Sequence, residues 1–257
     1  MSDRPEPEPV PEIPSQPLSM TDALATLSQG VIQDDHGVLP WGSNYAYLVT
    51  VADERRALLA VYKPQRGERS LWDFPDGTLC YREVAAYVVS EALDWAIVPP
   101  TVLRGGPYGL GSLQFFVDHD PEINYFTPLP PECGEQLQRM AVFDYLINNA
   151  DRKGGHCLLD SQGHLWGIDH GVSFHYQLKL RTVIWDYAGQ PLPEPIVDSL
   201  KALDTVLSDP ATLLRQTLGG LLSAREVDAL LARLHHLLQT RRFVLPGRGP
   251  NYPWPPV

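Results

Sequence analysis

Residues 144–171 read DYLINNADRKGGHCLLDSQGHLWGIDHG, and this stretch decides the fold. It closes an apolar-periodic run over 132–149, where Leu137, Met140, Phe143, Tyr145, Leu146 and Ile147 supply the apolar positions of a helix. The helix gives way to a polar loop holding Asp151, Arg152 and His156. Two short strands follow, 157–159 and 165–168, joined by the Ser161-Gln162-Gly163 turn; the second delivers Asp169 just ahead of Gly171. Asp151 and His156 lie five positions apart, Asp151 and Asp169 eighteen. Phosphoryl transfer uses such a set. One carboxylate orients the attacking hydroxyl, a ligand a few residues on touches metal, and an Asp after a hairpin binds metal bridging the phosphates. Asp-Arg-Lys-Gly-Gly or Asp-His-Gly alone is an ordinary surface turn. Their spacing points to chemistry.

Working outward, residues 31–34, 45–51 and 57–62 read as strands, 64–80 as an ordered loop and 81–93 as a helix. Strands over 98–103 and 112–117 precede an irregular connection, 118–131. Helical spacing returns at 196–207, 210–218 and 223–238. Strands first and helices later predict an α+β chain, a small β-rich lobe followed by a helical one. Residues 1–18 form a Pro/Glu-rich tail too poor in apolar residues to fold, and Ser19 or Thr21 caps the helix that follows. The expected units are therefore 19–117, 118–241 and a Pro-rich extended tail, 242–257, anchored by Trp254.

The 257 residues are 44% hydrophobic with a formal net charge of -11, enough for a sizeable core and wrong for a nucleic-acid partner. The charge also argues against stable membrane association, which needs clustered Lys and Arg. Cys80, Cys133 and Cys157 are few, odd in number and far apart, which predicts a reduced, cytoplasmic chain, and a monomer is expected.

The 144–171 segment resembles the catalytic and metal-binding loops of the phosphatidylinositol 3- and 4-kinase superfamily, with their Asp-Arg-x-x-x-Asn loop, hairpin and Asp-x-Gly. From about residue 20 the chain resembles an actinobacterial family related to that catalytic domain, through LLAVYKPQRGE (58–68), LWDFPDGTL (71–79) and YREVAAYVVSEAL (81–93). The resemblance implies a two-lobed protein-kinase-like fold using ATP with Mg²⁺ or Mn²⁺. It implies that Lys63 contacts ATP phosphates and is fixed by Glu83. Arg82 is then a solvent-facing neighbour or an extra phosphate contact. Ser43 and Asn44 would donate to phosphate from the loop between the first strands. Gln114, Phe115, Phe116 and Val117 would form the linker whose backbone meets adenine. Asp151 would position the acceptor hydroxyl, Arg152 would neutralise developing charge or anchor the loop, and His156 with Asp169 would hold metal.

His156 departs from the family pattern, which has Asn there. A neutral imidazole favours softer ions than Mg²⁺, so Mn²⁺ preference, or a nucleotide-binding pseudokinase, stands beside the kinase reading. Transfer of AMP is a third. Asn148 and Asn149 either compensate for the missing Asn or end the helix. His164, His170 and His175 crowd the region, yet without the HExxH logic of a zinc hydrolase. Trp72, Phe74, Trp166 and Trp185 read as packing residues, with the Trp72–Gly77 loop as an alternative nucleotide lid or acceptor wall. The acceptor is a protein or a soluble small-molecule hydroxyl.

Overall fold

The computed structural model describes residues 19–39 and 45–257. Ser43 and Asn44, the expected phosphate-covering pair, lie outside the described residues. Helix α1 (Met20–Gln29) starts where the Ser19 side chain accepts the Asp22 amide, a cap worth about 1 kcal/mol. It packs on an antiparallel sheet of β1 (Val31–Val38), β2 (Tyr47–Ala52), β3 (Ala57–Pro64), β4 (Thr101–Gly106) and β5 (Gly109–Phe115), in the order β1-β2-β3-β5-β4. Ala23 and Leu27 of α1 meet Val49, Val51, Leu58, Ala60 and Leu113 of the sheet.

Several strand boundaries differ from the sequence expectation for physical reasons. β1 runs on to Val38 although nearly every residue is exposed, because it is an edge strand broken by two irregularities against β2. β4 begins at Thr101, after Pro99 and Pro100, which have no N–H to give a ladder. β5 then starts three residues earlier than expected and ends at Phe115.

Helix α2 (Leu79–Ala92) joins the lobes. Its Ala85, Ala86 and Val89 belong to the core of the second lobe, with Met140, Phe143, Ile147, Leu200 and Leu234. That lobe holds α3 (Cys133–Ile147), the β6 (Cys157–Leu159) and β7 (Leu165–Gly167) hairpin, α4 (Glu194–Leu207), α5 (Leu213–Leu221) and α6 (Ala224–Thr240). α6 opens on a reciprocal Ser223–Glu226 capping box. The architecture is the expected two-lobed α+β fold, with a small sheet lobe and a helical lobe. No helix among the described residues is long and apolar enough to cross a membrane.

Two aromatic expectations are corrected. Trp72 is 93% exposed, with the Lys179 ammonium 5.0 Å from its ring centre, so it packs in no core. Trp254 is 89% exposed and anchors nothing; the tail is held by the carbonyls of Asn251 and Pro256. Phe74 and Trp166 are buried as expected.

Candidate active site

Lys63 reaches the cleft because β3 runs straight up to Pro64, and pairing with Ser112 of β5 fixes its backbone. Its ammonium lies 2.5 Å from Glu83 Oε1 and 3.0 Å from Asp169 Oδ1. Burial alone would depress this ammonium, but Asp169 and then Glu83 outweigh it and hold it above the usual lysine range. The other Glu83 oxygen accepts the His170 amide at 2.9 Å. One carboxylate on α2 thus ties the lysine to the segment carrying Asp169.

Asp169 adopts a left-handed backbone (φ 61°), a conformation a non-glycine residue keeps only when its surroundings enforce it. The Lys63 charge, more than any other influence, keeps its carboxyl well below the usual range, and its side chain is 44% exposed toward the cleft. His156 Nε2 stands 3.4 Å from Asp169 Oδ2. Its Nδ1 lies 3.1 Å from the Asp151 carbonyl oxygen, which would accept its proton, and 3.5 Å from the Lys153 amide, which would donate to it. Burial pushes the ring down to about 4, so the imidazole is neutral at neutral pH, and in the tautomer protonated at Nδ1, which the shorter contact favours, its Nε2 lone pair faces a carboxylate oxygen. A cation between two such acceptors relieves their repulsion, so these residues fit the divalent ion the family pattern implies. Among the described residues no three His, Cys, Asp or Glu side chains converge on one point, so phosphate oxygens and water would complete its shell.

Asp151 is about one-third exposed, with the Lys153 ammonium 3.3 Å away. Burial raises its carboxyl to about 6, with Lys153 opposing and Asp169 adding to the rise. A carboxylate poised near neutrality suits a group that takes or orients a proton.

Arg152 takes the second of its two expected roles. Its side chain is fully buried, 3.0 Å from Asp144, and donates to the Ile168 carbonyl (2.9 Å) and to His170 Nε2 (2.6 Å). With its donors committed beneath the loop, it anchors the loop and faces no reacting phosphate. Asn148 ends α3 in a left-handed cap, and its amide bonds the His175 and Gln177 carbonyls. Asn149 bonds Asp144 and accepts the Asp151 amide. Both end the helix, and neither compensates for the missing family Asn. His164 bonds the Ala96 carbonyl and lies tilted against the Trp166 ring, while His170 is fully buried.

The linker is also redrawn. Gln114 lies inside β5, its side chain buried against Thr101. The Phe115 and Phe116 amides are spent on the Pro100 and Leu59 carbonyls. The Phe116 carbonyl and Val117 amide form no bond to another backbone group among the described residues. Arg82 is neither solvent-facing nor a phosphate contact. It is 1% exposed, pairs with Glu226 Oε1 at 2.5 Å and donates to the Ser173 carbonyl at 2.6 Å. Sequence reasoning missed this pair and Asp144. Asp144 carried a usable signal, a lone carboxylate on the apolar stretch Val142–Ile147.

The sequence profile described as "Phosphatidylinositol 3- and 4-kinase" matches residues 32–218, which include every one of these cleft residues. The chain belongs to the phosphatidylinositol 3- and 4-kinase family. It is 38% identical to Protein Rv2133c of Mycobacterium tuberculosis over 276 residues, covering 89% of this chain and 98% of that one. It is 30% identical to phosphatidylinositol 4-kinase gamma 4 of Arabidopsis thaliana over 48% of this chain, which spans 27% of the plant kinase's length. Among solved structures, the Helicobacter pylori proinflammatory kinase CtkA aligns with a TM-score of 0.47 and 13% identity, over 81% of this chain and 97% of that one.

Proposed function

We propose that the chain is an ATP-dependent phosphotransferase that works in the cytoplasm on a hydroxyl of a protein or a soluble small molecule. The observation that carries this reading is Lys63, held at 2.5 Å from Glu83 and 3.0 Å from Asp169 across the two lobes. Such a lysine is preorganised to meet phosphate oxygens, since its charge and position are set before nucleotide arrives. Asp151, whose carboxyl at about 6 also feels the Asp169 charge, would orient the acceptor hydroxyl and receive its proton. Asp169 and His156 would hold a divalent ion, whose chemistry is to neutralise charge on the transferring phosphoryl group. The net charge of -11 supports a soluble acceptor over an anionic surface.

The test is ATP consumption and transfer of label from [γ-³²P]ATP with Mg²⁺ or Mn²⁺ against a broad acceptor panel. Asp151→Asn and Asp169→Asn are each expected to lower turnover on the order of 10²–10³-fold. Turnover that survives both substitutions sinks the reading. The buried, neutral His156 favours one second reading, nucleotide binding without turnover. It predicts saturable nucleotide binding with no γ-label transfer under either metal, and label moving from the α position would mark AMP transfer.

A further inference from the structure

We propose that the segment 251–257 is a positioning strap for the loop carrying Asp151 and His156; this rests on the phosphotransferase reading of that loop. The segment lies outside the residues matched by the family profile. Yet it bears on both flanks of the catalytic loop. At one flank, the Pro256 carbonyl accepts the Gly154 amide at 2.8 Å, while the Tyr125 amide donates to the Gly154 carbonyl at 3.3 Å. At the other, the Asn251 carbonyl accepts the Thr182 amide and the Trp185 indole N–H, both at 3.1 Å. Thr182 in turn bridges to Arg152 and donates its hydroxyl to Asp144 at 3.1 Å.

The loop needs such support. Arg152-Lys153-Gly154-Gly155 connects Asp151 to His156 and includes two consecutive glycines, the residues that lose most freedom on ordering. Gly154 opens the 3-10 turn that ends at His156. A Cβ there would meet the Phe126 ring at 2.7 Å, so glycine is required where the ring lies against the loop. His156 itself bonds back to the Asp151 carbonyl. A shift of the turn therefore moves the imidazole relative to Asp169 and disturbs Asp151 at once.

The strap is built to stay put. Asn251 closes a turn with Gly247 through both ends of its side chain, at 2.9 and 2.8 Å. Pro253 is buried between the two anchors, and Pro255 and Pro256 stiffen the approach to Gly154. Tyr252 and Trp254 point outward, so the hold comes from backbone carbonyls.

The experiment compares the full chain with a chain lacking 251–257 and with Asn251→Ala. Hydrogen exchange at the Gly154 amide is read with no ligand, Mn²⁺ affinity with a non-hydrolysable ATP analogue present, and analogue affinity without metal. Removing the strap is expected to speed Gly154 exchange at least about tenfold and weaken Mn²⁺ on the order of 10-fold, with metal-free analogue affinity unchanged. Asn251→Ala should shift the same two readouts less, and it carries the test if the shortened chain does not fold. Unchanged Gly154 exchange and Mn²⁺ affinity in the variants overturn the strap, as does an equal loss of metal-free analogue affinity. A parent chain that binds no nucleotide sinks the phosphotransferase reading, and Gly154 exchange still judges the strap by itself.

Discussion

Arg82 and Glu83 are consecutive on α2, both almost wholly buried, and each forms an ion pair of 2.5 Å. Successive helix positions differ by about 100°, so the two side chains meet different surroundings. Glu83 faces Lys63 and, through it, Asp169, whose side chain is 44% exposed. Arg82 faces Glu226, the Ser173 carbonyl and the Phe74 ring, 4.8 Å from its guanidinium carbon, and all of this is closed to water. One pair opens on a cleft and can take a further ligand; the other fastens the helix to the second lobe. The setting, not the charge chemistry, separates a site from a clamp.

The largest effect expected of this contrast is on stability. Arg82→Ala leaves Glu226 buried and unpaired, at a cost of about 3–5 kcal/mol in urea unfolding. Arg82→Met with Glu226→Met should recover most of that loss, because an apolar pair needs no charge partner. Glu83→Gln keeps shape and packing but releases Lys63. It should cost little stability while turnover falls about 10–100-fold, the usual penalty for a misplaced catalytic group. Equal stability losses from Arg82→Ala and Glu83→Gln would erase the distinction between clamp and site.

Much of the cleft was legible in the sequence because its parts are local. Helix, polar loop, hairpin and Asp169 follow one another over 144–171, and periodicity and turn residues mark each. Lys63 and Glu83 could be placed because a strand and a helix deliver them. The clamp was not legible, since Arg82 and Glu226 lie 144 positions apart and nothing local distinguishes a buried Arg from an exposed one. Arg152 was left between two roles for the same reason: its partners Asp144, Ile168 and His170 are assembled only in three dimensions. The proline pair at 99–100 was visible, and weighing its missing donors would have moved the start of β4 to Thr101.

A smaller change bears on the cleft arm alone. His156→Asn replaces the imidazole beside Asp169 with a side chain that offers an amide oxygen, the ligand type the resemblance implies. The ratio of Mn²⁺- to Mg²⁺-supported turnover should fall about tenfold, since oxygen ligands suit Mg²⁺ better than imidazole does. The unfolding midpoint in urea should stay close to the parent's, because the Arg82 clamp is untouched. An unchanged metal ratio would mean that His156 does not face the ion.

The smallest effect comes from Asp151 and separates the two arms by pH. Its folded carboxyl sits at about 6, above the ordinary 3.8, so the folded state prefers it protonated. That preference stabilises the fold fully below about 4 and fades as pH rises through 6. Activity runs the other way: turnover should fall as pH drops through about 6, where the group loses the charge that orients the acceptor. Asp151→Asn keeps the shape without the titration. Its stability relative to the parent should therefore grow between pH 4 and pH 8, by on the order of 1–2 kcal/mol once the exposed third of the side chain is allowed for. Glu226 titrates in the opposite sense. Although burial works against it, Arg82 holds its carboxyl below the usual range, and the clamp loosens only as pH falls further. Thermal melts of parent and Asp151→Asn at half-unit pH steps read both trends. A constant gap between the two would place Asp151 in an ordinary solvated setting and remove its claim to be the proton acceptor.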